Sequence, residues 1–484
     1  MPPGPPTLSR IIAPLDHAEV RGPVDVPITG VTYDARTASP GALFFCVRGT
    51  RFDGHGFAAD AVAGGAVAVL AQRALDLPPS VTQVLVPDVR RAMGPVAAAF
   101  HGNPAERLTL VGITGTNGKT TITYLLEGVF RAAGLRPGVI GTTGARVDGR
   151  PEPLARTTPE APDLHALLAD MAGRGVRAVA MEVSSHGLDQ HRVGGARFAC
   201  AVFTNLSQDH LDYHGTMEAY FLAKARLFNE ELSDRGVVNH DSPEGRRLAS
   251  DGLPTITYGL TDGADLQATD VALLPDGLSY RVGKLEVRSA LRGHYNVHNS
   301  LAALGAARQI GVDDRTSVAG IATVRGVPGR MEPVDRGQHF QVLVDYAHTP
   351  DSLRNVLQAA RGLTGGRVIV VFGCGGDRDR GKRPLMGREA TSGADLTVIT
   401  SDNPRSEDPP AILEEIEPGA KEGGGRYVME VDRRAAIRTA LREAAPGDVV
   451  VVAGKGHETG QEFADRTIPF DDRIVAAEEL EGRG

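Results

Sequence analysis

The sequence predicts an α/β protein built from three successive domains, on three observations. Its 484 residues are about three times the commonest single-domain size. Short apolar runs of strand length alternate with helical periodicity along most of the chain, as in mostly parallel sheets. One such run passes through a glycine-rich turn into a helix, the way a nucleotide-binding domain opens. The composition is that of an ordinary globular protein, 41% hydrophobic and 23% charged, with a net charge of -8. That balance is too acidic for a generic polyanion binder and moves nucleic acid down the list of partners. The 59 glycines and 31 prolines follow no triplet period, so they indicate many short loops and not collagen or low complexity.

Residues 1–106 read as a small α/β domain. Its β-like runs are ALFFCV (Ala42 to Val47) and AVAVLA (Ala66 to Ala71), and it closes at Gly102 to Pro104. Residues 107–331 read as a central P-loop ATPase-like domain with a mostly parallel sheet. The strand LTLVGIT leads through the glycine turn into TITYLLEGVFRAAG, which stops at Gly134, and further strands follow at Ala178 to Val183 and Cys200 to Asn205. Residues 332–484 read as a Rossmann-like α/β domain with strands at Val342 to Ala347, RVIVVFG, LTVIT and DVVVVAGKG. No internal repeat of 20 to 50 residues is evident.

Cys46, Cys200 and Cys374 are odd in number, far apart and without a CxxC pair. They support neither a disulfide framework nor a thiolate metal site, and a reducing cytoplasm fits them. The N-terminal MPPGPPTLSR lacks a basic region leading into an apolar core, and no eighteen consecutive apolar residues occur. A cytoplasmic monomer that neither enters a membrane nor leaves by this route is the expectation.

The central chemical signal is Gly112-Ile-Thr-Gly115-Thr116-Asn117-Gly118-Lys119-Thr120-Thr121. Between a strand and a helix, the backbone N–H groups of such a loop can cradle phosphate. Lys119 would neutralise the β and γ phosphates, and the Thr120 hydroxyl would reach Mg²⁺. The spacing departs from the common P-loop, because Ile113 stands where its first glycine would be.

Taken with Met181-Glu-Val-Ser-Ser-His-Gly-Leu, Gln208-Asp-His-Leu-Asp-Tyr-His214 and Tyr220-Phe-Leu-Ala-Lys-Ala-Arg-Leu-Phe228, this loop resembles the Mur ligase family of ATP-dependent amide-forming enzymes. The family also includes folylpolyglutamate synthetase. The resemblance implies that Glu182, His210 and Lys224 hold magnesium, Lys224 as a carbamate, and that these act with Lys119 in catalysis. The chemistry is consistent, since Mg²⁺ prefers oxygen ligands and a plain lysine offers none. His294-Tyr-Asn-Val-His-Asn resembles the family's asparagine helix, with Asn296 on adenine. Gly329-Arg330-Met-Glu332 and Val344-Asp345-Tyr-Ala-His348 resemble the junction to the third domain, with Arg330 on phosphate, Asp345 on ribose and His348 a candidate proton acceptor.

By the same resemblance the first domain binds a uridine diphosphate sugar through Tyr33, Ala35, Thr50, Arg51 and Phe52. Thr157, Thr158, Ser184, Gln190 and Arg192 match positions that touch the muramoyl peptide. Ala35 stands where the family commonly has serine, and Arg156 where it often has asparagine. In the third domain Arg378, the tetrapeptide Asp402-Asn403-Pro404-Arg405, Gly454 and Glu458 would choose the amino acid. The tetrapeptide resembles the meso-diaminopimelate-selective version, in which an arginine fork grips the distal carboxylate. Lysine and ornithine lack that carboxylate, so roughly tenfold to several-hundredfold discrimination follows.

The implied activity is ATP-dependent addition of meso-diaminopimelate to the D-glutamyl γ-carboxylate of UDP-N-acetylmuramoyl-L-alanyl-D-glutamate through an acyl phosphate, in peptidoglycan precursor synthesis. Lysine or ornithine is the alternative amino acid. A folate-type polyglutamate ligase would have no use for the uridine loops or for DNPR. A P-loop switch protein would tolerate loss of Lys224 and Arg405.

Overall fold

The computed structural model describes residues 4–49, 52–250, 252–274 and 276–482. The N-terminal part holds a five-stranded sheet in the order Glu19–Arg21, Thr82–Leu85, Ala66–Ala71, Ala42–Phe45, Gly30–Thr32, parallel except for the first pair. Ala42–Phe45 is buried along its whole length because the sheet is covered on both faces. One cover is the helix Val89–Phe100. It starts where the Asp88 carboxylate accepts the Arg90 and Arg91 N–H groups, and it buries Met93 and Val96 against Leu43, Phe45 and Leu70.

The central part is a nine-stranded sheet. Its order is Leu266–Gln267, Thr255–Gly259, Gly236–Asn239, Cys200–Phe203, Thr109–Thr114, Ala178–Glu182, Pro137–Gly141, Gly144–Val147, Arg150–Glu152. The first seven strands are parallel and the last two continue antiparallel. Thr109–Thr114 lies between Cys200–Phe203 and Ala178–Glu182, which places the phosphate loop at the carboxyl end of a central strand, where open α/β sheets bind ligands. The helix Lys119–Ala132 behind that loop crosses Asp314–Thr323 almost backbone to backbone. A Cβ on Gly128 would come within 2.6 Å of the Gly320 carbonyl oxygen.

Strict strand–helix alternation fails between residues 269 and 289. Three consecutive strands, Thr269–Leu274, Gly277–Val282 and Leu285–Ser289, form a separate antiparallel sheet there. Its inner face packs on the helix Tyr295–Gln309, with the Tyr280 hydroxyl 2.9 Å from Ser300 Oγ. One face buried and one wet is the antiparallel habit, so this hairpin pair needs no crossover helix.

The C-terminal part is a six-stranded sheet in the order Glu332–Pro333, Gln341–Asp345, Val449–Ala453, Val368–Phe372, Leu396–Ile399, Tyr427–Met429, parallel after its first pair. A two-stranded hairpin, Gly460–Glu462 with Thr467–Pro469, stands beside it. Arg433 and Asp472 are both fully buried here and form a two-pronged pair at 2.8 and 2.7 Å, with Arg433 also donating to the Ser401 and Ala453 carbonyls. Removing one partner strands a buried charge, so Asp472→Ala is expected to cost about 3–5 kcal/mol. Urea unfolding checks this, and a loss below about 1 kcal/mol would show that water or a neighbour takes over the guanidinium.

Among the described residues all three cysteines are free and buried, and no helix is long and apolar enough to cross a membrane.

Candidate active site

The loop between Thr114 and Lys119 turns on two glycines with positive φ, Gly115 at 136° and Gly118 at 92°. A Cβ at Gly115 would overlap Thr204 Oγ1, and one at Gly118 would lie 2.4 Å from Asn299 Oδ1. Lys119 folds back so that Nζ donates to the Gly115 and Thr116 carbonyls, both at 2.8 Å. Burial lowers its pKa, against the pull of Glu182 and Asp209. Thr120 Oγ1 accepts from Arg330 Nη2 at 3.1 Å, and the Arg330 guanidinium stacks 4.6 Å from the Tyr346 ring centre.

Glu182 ends the strand Ala178–Glu182 and is buried, its carboxylate accepting the Thr142 N–H at 2.9 Å and the Thr142 hydroxyl at 3.0 Å. His210 sits at φ 56° just before the short helix Leu211–His214. Its ring lies edge-on to His186 with centroids 4.8 Å apart. Burial, with the neighbouring imidazoles, outweighs Asp209 and holds His210 down at about 3, so its ring is neutral. Lys224 ends the helix Met217–Ala225, is 1% exposed and donates to the Gly115 carbonyl at 2.9 Å. Burial and the charge of Lys119 hold its pKa well below the usual lysine value.

Sequence reasoning passed over Asp209 and Lys382. Asp209 is buried with Lys382 Nζ at 3.4 Å, His210 Nε2 at 3.4 Å and His348 Nε2 at 3.7 Å. These cations and rings overcome the effect of burial and keep its carboxylate well below the usual range. His348 donates from Nδ1 to the carbonyl two residues earlier, Tyr346 O, at 2.7 Å. Asp209 thus draws Lys382 from the third domain into the wall of the site. Gln208 Nε2 to Asp379 Oδ2 at 3.1 Å and Asn117 Nδ2 to Asp351 Oδ2 at 3.1 Å close the same seam. An acid one residue before His210 could have suggested this partner, but nothing local in the sequence points from it to residue 382.

Two cavities meet at the loop. One of about 530 Å³ is lined by Asn117, Gly118, Thr121, His298, Asn299 and Asp345, with the helix Pro350–Arg361 on its far side, and suits a nucleotide. Asp345 accepts the Met331 and Ala347 N–H groups, and its burial raises its pKa. Asn296 uses Nδ2 on the Arg292 carbonyl and accepts from Asn299 Nδ2; Asn299 lines this cavity, and Asn296 lines an adjoining one with Thr121 and Arg330.

The second cavity, about 320 Å³, joins Lys119, Thr120, Glu182 and His210 to Arg378, Asp402, Asn403, Arg405, Gly454 and Glu458. Within it Asn403 Oδ1 accepts from Lys455 Nζ at 2.9 Å while Asn403 Nδ2 donates to Glu458 at 2.8 Å. Gly454 carries φ 115°, and a Cβ there would press on Asp402 Oδ2 at 2.5 Å. Pro404 passes so close to Gly376 that a Cβ on that glycine would overlap its carbonyl.

Thr157 and Ser184 also line this cavity. Thr158 donates to the Glu182 carbonyl and accepts the Ser184 N–H at 3.0 Å. Arg192 reaches Glu160, the Thr158 carbonyl and Gln190 Oε1. Farther out, the Tyr33 hydroxyl donates to Asp163 at 2.7 Å, Ala35 opens a short 3₁₀ turn, and Phe52 is 71% exposed. Thr50 and Arg51 lie outside the described residues.

A phosphate loop at the carboxyl end of a parallel sheet, facing a carboxylate-lined cavity shared with a third domain, defines a P-loop nucleotide-binding protein. The chain belongs to the Mur ligase family. It matches the Mur ligase middle domain over residues 113–307, the Mur ligase glutamate ligase domain over 329–456 and the Mur ligase family catalytic domain over 27–101. It is 48% identical over 461 residues to the UDP-N-acetylmuramoyl-L-alanyl-D-glutamate--2,6-diaminopimelate ligase of Geobacillus thermodenitrificans, covering 93% of this chain and 94% of that one. It is 47% identical over 472 residues to the ligase of the same name from Gloeobacter violaceus, covering 96% of each. A solved structure of a ligase with that name superposes with a TM-score of 0.70 at 35% identity over 99% of both chains. The MurF ligase of Thermotoga maritima in complex with ADP shares the fold, with a TM-score of 0.66 at 19% identity over 94% of this chain and 98% of that one.

Proposed function

We propose that the chain joins meso-diaminopimelate to the D-glutamyl γ-carboxylate of UDP-N-acetylmuramoyl-L-alanyl-D-glutamate, using ATP, in peptidoglycan precursor synthesis. The observation that carries this reading is the shared cavity, in which the phosphate loop, Glu182 and His210 face Asp402, Asn403, Arg405 and Glu458. An amino-acid receptor and a phosphoryl-transfer centre in one enclosure suit a reaction that makes an acyl phosphate and spends it on an amine.

The γ-carboxylate attacks the γ-phosphorus of ATP, releasing ADP; the amine then attacks the acyl carbon, and phosphate leaves. In such a sequence catalysis is mainly positioning and charge neutralisation. Lys119 and Arg330 supply fixed positive charge, and the loop amides orient the phosphates. His348, with Nδ1–H pinned on Tyr346 O and Nε2 toward Asp209, is the group we assign to the ammonium proton.

The donor set fits magnesium. Among the described residues no three His, Cys, Asp or Glu side chains gather to hold a metal on their own. Thr120, Glu182 and His210 line one cavity with the phosphate loop, and a hard ion there would take its remaining ligands from phosphate oxygens and water. Thr120 and Glu182 would hold one ion, and His210 with a carbamate on Lys224 a second. Bound there, Mg²⁺ would neutralise the developing phosphate charge. With a nucleotide-activated sugar peptide and ATP as its substrates, we assign the reaction to the cytoplasm and the chain to a monomer.

Phosphate release with ATP, Mg²⁺ and the UDP-linked dipeptide, compared across meso-diaminopimelate, lysine, ornithine and no amino acid, tests the reading. Release with diaminopimelate together with the tripeptide mass is expected. Release with lysine or ornithine in its place would keep the ligase and overturn the DNPR argument. Arg405→Ala is expected to lower kcat/KM for diaminopimelate by roughly tenfold to several hundredfold while lysine use holds or rises. Equal losses on both amino acids would remove Arg405 from selectivity.

A further inference from the structure

We propose that Glu462, on the hairpin strand Gly460–Glu462, is the positioning residue that aims Arg405 into the reaction cavity and so sets amino-acid selectivity. The inference rests on the reading that Arg405 receives the distal carboxylate.

Arg405 is held at both main chain and side chain by this one residue. Its N–H donates to the Glu462 carbonyl at 3.0 Å, and its Nε–H donates to Glu462 Oε2 at 2.8 Å. The Glu462 N–H in turn donates to Asn403 Oδ1 at 3.0 Å, so three hydrogen bonds tie Glu462 to two residues of the DNPR tetrapeptide. Arg405 needs such support, because it sits at φ 51°, a left-handed conformation costly for a bulky side chain. A bridge between Arg405 and Phe463 extends the grip.

The pattern of donors gives the grip its direction. A guanidinium has five N–H donors, one on Nε and two on each terminal nitrogen. Glu462 takes the Nε donor, and the Gly376 carbonyl takes one from Nη1 at 2.8 Å. The second Nη1 donor and both Nη2 donors are left, so one from each terminal nitrogen can form the end-on pair that a carboxylate grips with two parallel bonds. Arg405 lines the cavity, whereas Glu462 stands outside its lining and is half exposed to solvent. The carboxylate therefore braces the guanidinium from behind without occupying its front. Because the pair is partly solvated, its contribution is geometric more than Coulombic.

Glu462→Ala should raise the KM for meso-diaminopimelate roughly five- to thirtyfold. Its kcat should stay within about twofold, as should the KM values for ATP and the UDP-linked dipeptide. Glu462→Gln, which keeps an oxygen acceptor for Nε, should recover most of the loss. A KM that falls in Glu462→Ala would make Glu462 a competitor for the fork and overturn the inference. So would losses spread equally over all three substrates.

A second readout does not depend on which amino acid is used. The rate at which p-hydroxyphenylglyoxal modifies Arg405 in the full chain, located by mass spectrometry, should rise in Glu462→Ala and stay near the parent rate in Glu462→Gln. An unchanged labelling rate overturns the bracing role. If the parent protein uses lysine and rejects diaminopimelate, the selectivity reading fails while labelling still decides whether Glu462 braces Arg405.

Discussion

Lys119→Ala is expected to lower kcat by roughly 10³-fold or more. The lysine spends two of its three donors on the Gly115 and Thr116 carbonyls of its own loop. Its ammonium is therefore fixed before ATP arrives, with no reorganisation left for the reaction step. Partial burial lowers its pKa, and it lines the cavity in which the phosphates would lie. On the proposed assignment of Thr157, Ser184 and Arg192 to the UDP-linked dipeptide, its affinity should change little in this variant. Lys119→Arg should not restore turnover, because the guanidinium would have to fit a turn closed by Gly115 and Gly118 against Thr204 and Asn299. Single-turnover phosphate release at saturating ATP measures the effect. A loss below about tenfold would mean that Arg330 alone neutralises the transferring phosphoryl group.

The parts of this site that could be read from the sequence are those in which chemistry and spacing coincide along the chain. The phosphate loop is one, since a strand, two glycines, a lysine and a helix must follow in that order for the amides to converge. Asp402 to Arg405 is another, since three of those four consecutive residues line the cavity. Parallel strands were also legible where they are buried on both faces, as at Val449–Ala453. The antiparallel sheet at 269–289 was not, since half-exposed hairpins carry a weaker apolar signal than the helices around them.

What the sequence hid is what only folding brings together. Asp209 and Lys382 are 173 residues apart and meet in the wall of the cavity. Asn296 and Asn299 are one helical turn apart in the same motif, and only the fold shows that Asn299 Oδ1 faces Gly118. Glu462 sits in a short hairpin with no motif of its own, and its interest arises wholly from the arginine it touches.

Lys224→Ala is expected to reduce kcat by roughly 10²- to 10³-fold, and its pattern of rescue should differ from that of Lys119→Ala. Lys224 is buried between the Gly115 carbonyl at 2.9 Å and the Tyr220 ring, whose centre is 4.3 Å away. No carboxylate pairs with its Nζ among the described residues, and Lys119 repels its charge. A lysine so placed is costly as a cation and sits easily as a neutral amine, the form that adds to carbon dioxide. The carbamate formed would be an anion beside Lys119, turning a repulsive neighbour into an attractive one.

Acetate or propionate should restore part of the turnover of Lys224→Ala and none of Lys119→Ala. Protein equilibrated with ¹³C-bicarbonate should show a carbamate carbon that is missing in the alanine variant. At limiting carbon dioxide, activity should fall as pH drops through the depressed pKa of Lys224, because protonation removes the nucleophilic amine. Loss of turnover without a carbamate signal would leave Lys224 as a structural cation, and unchanged ligation in Lys224→Ala would remove it from the reaction.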